Sequence, residues 1–154
     1  MALLLLTLLL SGITTVFQNP SDSWRLNWDL SEEVPYEETG FSAPPELLSP
    51  SESVVLNVTE TSVTFYDSDG TKRRYRLSGE REQSAFRGFD VRTRARWNGK
   101  TLRLEVSPQR NLVVIENYSV DRNTNRLLLS VSVLQAGRRT GPGIRYVYDG
   151  VFSR

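Results

Sequence analysis

The sequence predicts an all-β protein, an antiparallel up-and-down β-barrel or half-barrel of about eight strands. Apolar and polar residues alternate with a period of two from Val54 to the C-terminus, and turn signals interrupt this alternation at regular intervals. Such alternation places one face of each strand against a core and the other against water. Strands of this number in hairpin order are enough to close a small barrel.

The first element is an N-terminal apolar run. Residues 1–10 read M-A-L-L-L-L-T-L-L-L and are followed by Ser11-Gly12. The run is shorter than the roughly 20 residues that a membrane-spanning helix needs, and it is typical of a signal-peptide core. We therefore expect residues 1–18 to be a signal peptide, and the mature protein to be secreted, periplasmic or extracellular, without an integral membrane span. The alternative is a buried N-terminal helix.

The second element, residues 19–53, is predicted to be an acidic, proline-rich arm. From Asn19 to Val55 eight acidic residues stand against Arg25 alone, so the net charge is 1 − 8 = −7, whereas from Leu56 onward it is 18 − 10 = +8. Four of the seven prolines fall within residues 31–52. Proline removes a backbone donor and restricts its neighbour, so irregular backbone is expected here, ahead of a β-barrel domain at 54–154.

The strands of that domain are delimited by turns. Asp67-Ser68-Asp69-Gly70 suits a type I turn, and Asn98-Gly99 suits a two-residue hairpin loop that would set Ala95 opposite Leu102. Polar or glycine-rich connections are expected at 121–125 and 137–143. The predicted strands are 54–59, 62–66, 71–78, 89–97, 101–106, 112–120, 126–135 and 144–152.

Short motifs along most of the mature chain resemble those of small exported bacterial lipocalin-like (calycin-type) domains, a family of no established activity. The resemblance implies an up-and-down barrel, and no catalytic residue can be carried over from it. The long acidic stretch after Ser31 departs from the family pattern. The motifs are Trp24-Arg25-Leu26-Asn27 with Ser31, Asp69-Gly70-x-x-Arg73-x-Tyr75-x-Leu77, Arg94-Ala95-Arg96-Trp97-Asn98-Gly99-x-x-Leu102, and Val147-Tyr148-Asp149.

The composition excludes several kinds of chemistry. The chain has no Cys and no His, which excludes disulfides, thiolate nucleophiles, imidazole metal ligands and a Ser-His-Asp triad. The turn at Asp67 is no calcium loop, because the twelfth position, where a bidentate Glu is needed, is Ser78. We therefore expect a non-enzymatic protein with no metal and no cofactor. A net charge of +1 also argues against a nucleic-acid partner.

The first candidate site is the barrel interior. Residues on the apolar face could line a pocket for a small apolar or amphiphilic ligand, or could simply pack the core. Glu116 stands inside the apolar run 112–120; facing inward it would need an Arg partner or a raised pKa, and facing outward it would need neither. The candidate interior residues are Phe65, Tyr75, Phe89, Trp97, Leu104, Glu116, Leu129 and Tyr146.

The second candidate site is a basic stripe on the opposite face of the sheet. Three interpretations remain open: a solvated face, an internal surface covered by the acidic arm (Glu32, Glu33, Glu37 and Glu38), or a site for an external anion, since Arg forms forked contacts to phosphate or carboxylate. The stripe contains Lys72, Arg74, Arg76, Arg92, Arg94, Arg96 and Arg103.

The sequence therefore predicts an exported lipocalin-like protein, a monomer, that binds a small apolar or amphiphilic ligand in its barrel. The alternative is a non-enzymatic envelope protein of structural or interaction function, whose basic face contacts an anionic envelope surface or partner.

Overall fold

The computed structural model describes residues 23–32 and 43–151. The signal peptide predicted for residues 1–18 lies outside these ranges. The ten strands are β1 (Ser23–Leu26), β2 (Ser53–Val58), β3 (Ser62–Asp67), β4 (Lys72–Arg76), β5 (Arg81–Phe86), β6 (Phe89–Asn98), β7 (Thr101–Gln109), β8 (Leu112–Asp121), β9 (Arg126–Gln135) and β10 (Arg138–Val151). In the described residues between β1 and β2 lie two short 3-10 helices, Trp28–Leu30 and Pro45–Leu47.

All ten strands form one antiparallel sheet in the order β4-β3-β2-β1-β10-β9-β8-β7-β6-β5. β1 pairs with both β2 and β10, so the sheet curls back on itself and leaves β4 and β5 as its two edges. The backbone N–H of Gly79, between these edges, donates to the carbonyl of Ala95 on β6 at 3.0 Å. The all-β, nearly closed barrel is thus confirmed, with ten strands instead of the predicted eight.

The two additional strands lack the pattern on which the prediction relied. β1 has four residues, of which only Trp24 and Leu26 face inward, and it lies in the segment predicted as an arm; the barrel therefore begins before Val54. β5 reads R-E-Q-S-A-F, with no apolar alternation, because it is a sheet edge that pairs only with β6. β1 forms because β10 and β2, both distant in sequence, offer unpaired backbone groups on its two sides, and β5 forms because β6 offers them across a two-residue turn.

The interior is the apolar face that the alternation predicts, although the β6–β7 register differs. Ala95 lies opposite Leu104, and Leu102 lies opposite Trp97. The hairpin loop is Gly99-Lys100, with Gly99 at φ +61° in the first loop position, where type II′ turns place glycine. The predicted pairing was therefore wrong by two residues. Since the side-chain period is also two, every side chain kept its predicted face.

Residues from the family-like motifs join the two ends of the described barrel. Asn27 Nδ2 donates to Asp149 Oδ2 at 2.5 Å, and Arg126 Nε donates to Asp149 Oδ1 at 2.9 Å. The backbone N–H of Val147 donates to Ser31 Oγ at 2.9 Å. The hydrogen bonds from Asn27 and Arg126 lower the pKa of the Asp149 carboxyl. These motif residues therefore fix the end of β1 against β10.

Candidate binding site inside the barrel

An irregular segment covers one end of the barrel. We call residues 43–51 the cap segment; it contains the 3-10 helix Pro45–Leu47, and its side chains Ala43, Leu47 and Leu48 are buried. Pro44 and Pro45 cannot donate to a strand ladder, so this segment cannot join the sheet and packs across its end instead.

Arg87 holds the cap segment in place. Its Nη1 donates to the carbonyls of Glu46 and Ser49, both at 2.6 Å. Arg87 occupies the left-handed region at φ +49°, next to Gly88, in the two-residue turn between β5 and β6. This tight turn presents the guanidinium toward the cap segment, where the carbonyls of an irregular backbone are free to accept.

Beneath the cap segment lies a buried group of charged and polar side chains, Asp67, Arg73, Glu116 and Tyr118, which we call the interior polar cluster. Arg73 donates through Nε and Nη2 to the two carboxylate oxygens of Asp67, at 2.7 and 2.9 Å. Arg73 Nη1 lies 3.5 Å from Glu116 Oε2, which also accepts from the Tyr118 hydroxyl at 2.9 Å. The side chains of Asp67 and Arg73 are 0% and 6% exposed, so this ion pair is removed from water.

Aromatic rings enclose the guanidinium. The rings of Phe65 and Phe86 lie 4.6 and 4.9 Å from the Arg73 guanidinium carbon, and Tyr118 packs on Phe65 with ring centroids 5.0 Å apart. Cation–π contacts of this kind strengthen when the cation is desolvated. The forked pairing with Asp67 and the ring contacts together fix Arg73 in one orientation.

Burial controls the ionisation of the tyrosines around the cluster. Desolvation, followed by the Glu116 charge, raises the pKa of Tyr118 well above its usual value. Desolvation also raises the pKa of Tyr75, where Arg73 acts in the opposite direction. Tyr118 therefore remains a neutral hydrogen-bond donor to Glu116 over the physiological pH range.

A small cavity separates the cap segment from the cluster. Its volume is about 10 Å³, close to the space that one water molecule needs. It is lined on one side by residues 48–51 of the cap segment and on the other by the interior polar cluster, Leu129, Val131 and Tyr148. Ser51 connects the cap segment to the cluster, because its hydroxyl donates to Asp67 Oδ1 at 2.9 Å.

The structure places the predicted interior residues on the inner face of the sheet. Phe89 and Trp97 are only partly buried, at opposite ends of β6. Glu116 faces inward and has an arginine partner, one of the two alternatives that the sequence left open. The buried members are Phe65, Tyr75, Leu104, Glu116, Leu129 and Tyr146.

Sequence reasoning missed Asp67 and Arg73. Asp67 was assigned to the turn that follows β3, and it does accept the Gly70 N–H there at 3.0 Å through its backbone carbonyl. Its side chain nevertheless shares the inward face of Phe65, and Arg73 shares the inward face of Tyr75. The period of two places both residues on the inward face, and this signal in the sequence was overlooked.

The basic stripe is a set of outward-facing arginines. Three of them, Arg94, Arg96 and Arg103, surround Glu105 at 4.0, 3.8 and 3.0 Å, and we call these four residues the outer arginine cluster. Arg76 pairs with Glu82 across the gap between β4 and β5 at 3.3 Å. Arg74 and Arg92 are exposed.

Of the four acidic residues considered as a cover for the stripe, Glu32 falls within the described residues. Glu32 lies beside Arg145 on β10: it accepts the Arg145 N–H at 2.8 Å, and its carboxylate is 4.0 Å from Nε. Glu32 therefore does not cover the stripe, because residues 27–32 follow β10 instead of β6 and β7. Glu33, Glu37 and Glu38 lie outside the described residues.

Within residues 23–32 and 43–151, no three His, Cys, Asp or Glu side chains come together in a way that could hold a metal ion. In the same part of the chain, no helix has the length and apolar character that crossing a membrane requires.

Comparison with known proteins identifies the fold. No protein-family model and no curated protein matches the sequence. Among solved structures, a "REP1-NXSQ fatty acid transporter" superposes with a TM-score of 0.60 at 10% identity, covering 87% of this chain and 97% of that one. Fatty-acid-binding protein 1 of Echinococcus granulosus gives 0.57 at 14%, covering 85% and 96%. A secretory abundant heat soluble protein of Ramazzottius varieornatus gives 0.56 at 14%, covering 85% and 94%.

The chain therefore shares the barrel fold of these three proteins. At these identities the likeness concerns the fold alone.

Proposed function

We propose that this protein binds one small apolar or amphiphilic molecule inside its barrel. The observation that carries the proposal is the meeting of an irregular cap segment and a buried polar cluster at a cavity within an otherwise apolar interior. An apolar enclosure with a few convergent polar groups is the usual design of a small-molecule site. The structural neighbours, two of which are described as a fatty acid transporter and a fatty-acid-binding protein, support this choice.

Ligand entry requires the cap segment to move. Sites for small organic ligands occupy about 300 Å³ or more, far above the 10 Å³ seen here. A ligand would therefore take the place of Leu47 and Leu48, which now fill the end of the barrel. The cap segment can open without disrupting the sheet, because Arg87 and Ser51 hold it by side-chain hydrogen bonds and no strand pairing involves it.

Titration with retinol, a neutral fluorescent amphiphile, tests the proposal. We expect saturable binding at a stoichiometry of one by the wild-type protein. Leu129→Trp should abolish it, because Leu129 lines the cavity and a larger side chain would fill the space. Leu128→Trp is the matched control, since Leu128 is the next residue of β9 and points outward.

Absence of saturable binding by the wild type would overturn the proposal. Equal losses of retinol binding in the Leu128 and Leu129 variants would also overturn the proposal, because the loss would then not depend on the barrel interior. Far-UV circular dichroism and thermal unfolding of both variants establish that each remains folded.

Binding, not catalysis, is the function that these residues support. The carboxylates of the interior polar cluster are the closest approach to a catalytic pair, but both oxygens of Asp67 are occupied by Arg73, and Glu116 accepts from Tyr118. General acid–base chemistry needs a group within reach of the reacting proton.

Docking on an anionic surface is a second candidate function. The outer arginine cluster holds three guanidinium groups and one carboxylate, a formal charge of 3 − 1 = +2, and Arg92 adds an exposed cation beside it. This function predicts binding to anionic phospholipid vesicles that weakens with salt and is lost when Arg92, Arg94 and Arg96 are changed to Glu. Absent or salt-independent binding contradicts it.

Export of the mature protein is part of the same proposal and is supported by the apolar run of residues 1–10. N-terminal sequencing of the protein recovered outside the cytoplasm tests it, with a new N-terminus between Gly12 and Gln18 as the expected result. Recovery of uncleaved protein in the cytoplasm alone contradicts it.

A further inference from the structure

The charge of the interior polar cluster distinguishes between classes of ligand head group. One guanidinium faces two carboxylates there, so the formal charge is 1 − 2 = −1. A carboxylate head group entering this space would raise the imbalance to −2, whereas a primary ammonium would bring it to zero. Uncompensated charge is costly in a buried site, where solvent cannot screen it.

Arg73 is also unavailable to an incoming anion. Its Nε and Nη2 are committed to Asp67, its Nη1 is directed at Glu116, and the rings of Phe65 and Phe86 lie over it. A ligand carboxylate would have to displace Asp67, a residue whose side chain is fully buried and which also accepts from Ser51. The cluster offers acceptors to a ligand and offers no free cation.

The other cation beside the cavity, Arg87, lies at the rim. It is half-buried on the β5–β6 turn, and its Nη1 is occupied by two cap-segment carbonyls. An anionic head group could meet Arg87 only after the cap segment has left and only at the mouth of the barrel. The polar end of the interior itself remains acidic.

We infer that the interior polar cluster recognises a cationic or hydrogen-bond-donating head group, with a primary amine preferred over an alcohol and an alcohol over a carboxylate. The inference rests on the proposed function and adds the class of ligand to it. Glu116 is the acceptor that meets the head group, because it lines the cavity and, unlike Asp67, has no forked partner.

Competition among ligands of equal chain length tests the inference. Dodecylamine, dodecanol and dodecanoate are each titrated against retinol bound to the wild-type protein. We expect the amine to bind at least about tenfold more tightly than the carboxylate, a difference of about 1.4 kcal/mol. In Glu116→Gln, which keeps the shape and removes the charge, the amine should lose about tenfold while the alcohol changes little. Glu60→Gln is the matched control, since Glu60 is exposed in the turn between β2 and β3.

The possible outcomes distinguish failure of the inference from failure of the proposed function. If neither retinol nor any of the three dodecyl compounds binds, the proposed function fails and the inference fails with it. If dodecanoate binds as tightly as the amine, the barrel is a ligand site but the inference is wrong; loss of that binding in Arg87→Gln would place the head group at the rim. Unchanged amine affinity in Glu116→Gln also overturns the inference, provided that retinol still reports a folded site.

Discussion

The molecule contains two groups of arginines and carboxylates whose proportions are opposite. Inside the barrel, one arginine faces two carboxylates and nearly all of their surface is buried. Outside, three arginines share the single carboxylate of Glu105, and their side chains are 27 to 44% exposed. The inner group must satisfy its charges with partners, because water cannot, whereas the outer group can leave a surplus that solvent screens.

The same residue types therefore serve different purposes according to their burial. The inner arrangement is specific in geometry, with a forked pair and ring contacts, and therefore suits recognition. The outer arrangement has longer contacts and a net positive charge, and therefore suits solubility or a diffuse attraction to anions. Changes at the two groups should accordingly have effects of different size.

The largest effect is expected from Arg73→Met. The substitution leaves Asp67 and Glu116 buried without a cation, and breaking a buried pair in this way costs about 3–5 kcal/mol of unfolding free energy. Urea denaturation measures the loss, and Arg103→Met on the outer face is the control. A loss no greater than that of the control would mean that the buried charges of the inner group do not depend on Arg73.

Alkaline pH should destabilise the barrel next most strongly. Burial raises the pKa values of Tyr75, Tyr118 and Tyr148, so the folded state keeps its phenolic protons at a pH at which the unfolded state has lost them. The tyrosine contribution to stability is therefore complete below pH 10 and falls above it, by about 1.4 kcal/mol per pH unit for each such tyrosine. Urea midpoints at pH 8 to 11, read with tyrosine absorbance, check this expectation; a flat profile contradicts it.

Releasing the cap segment should have an intermediate effect. Arg87→Ala removes the two hydrogen bonds to the carbonyls of Glu46 and Ser49, with an expected cost of about 1 kcal/mol. The cap segment should then open more often, so amide exchange at residues 46–49 and the association rate of retinol should both rise. Arg110→Ala, in the exposed β7–β8 turn, is the control. Unaltered exchange at the cap segment would show that Arg87 does not hold it.

The smallest effect is expected at the outer group. Glu105→Gln removes the shared carboxylate, yet exposed ion pairs contribute at most about 1 kcal/mol, and the loss should shrink further in high salt. Urea denaturation at low and high salt measures both quantities. A loss comparable to that of Arg73→Met would erase the distinction between the two groups.

The period of two in the sequence was sufficient to predict most of the barrel. It placed Leu104, Leu129 and Tyr75 in the interior and Arg92 and Arg94 outside, and the structure agrees. It did so even where the β6–β7 register was wrong, because a shift of two residues preserves the face of each side chain. The hairpin order of β6 to β9 also followed from turn residues alone.

The candidate site could not be predicted in the same way. Asp67 and Arg73 lie on adjacent strands of one hairpin, but Glu116 comes from β8, and only closure of the sheet brings it to that pair. A charged residue on an inward position is ambiguous by itself, because its desolvation cost is acceptable only if a partner lies opposite it. For Glu116, that partner is a property of the closed barrel.

Alternation and turn chemistry are local, and they were enough to predict which face of each long strand is apolar. Tertiary contacts were needed to form β1 between β2 and β10, to bring Glu116 to the Arg73–Asp67 pair, and to place the cap segment over the mouth of the barrel. Each of these depends on groups that become neighbours when the sheet closes, and local propensity carries no information about that neighbourhood.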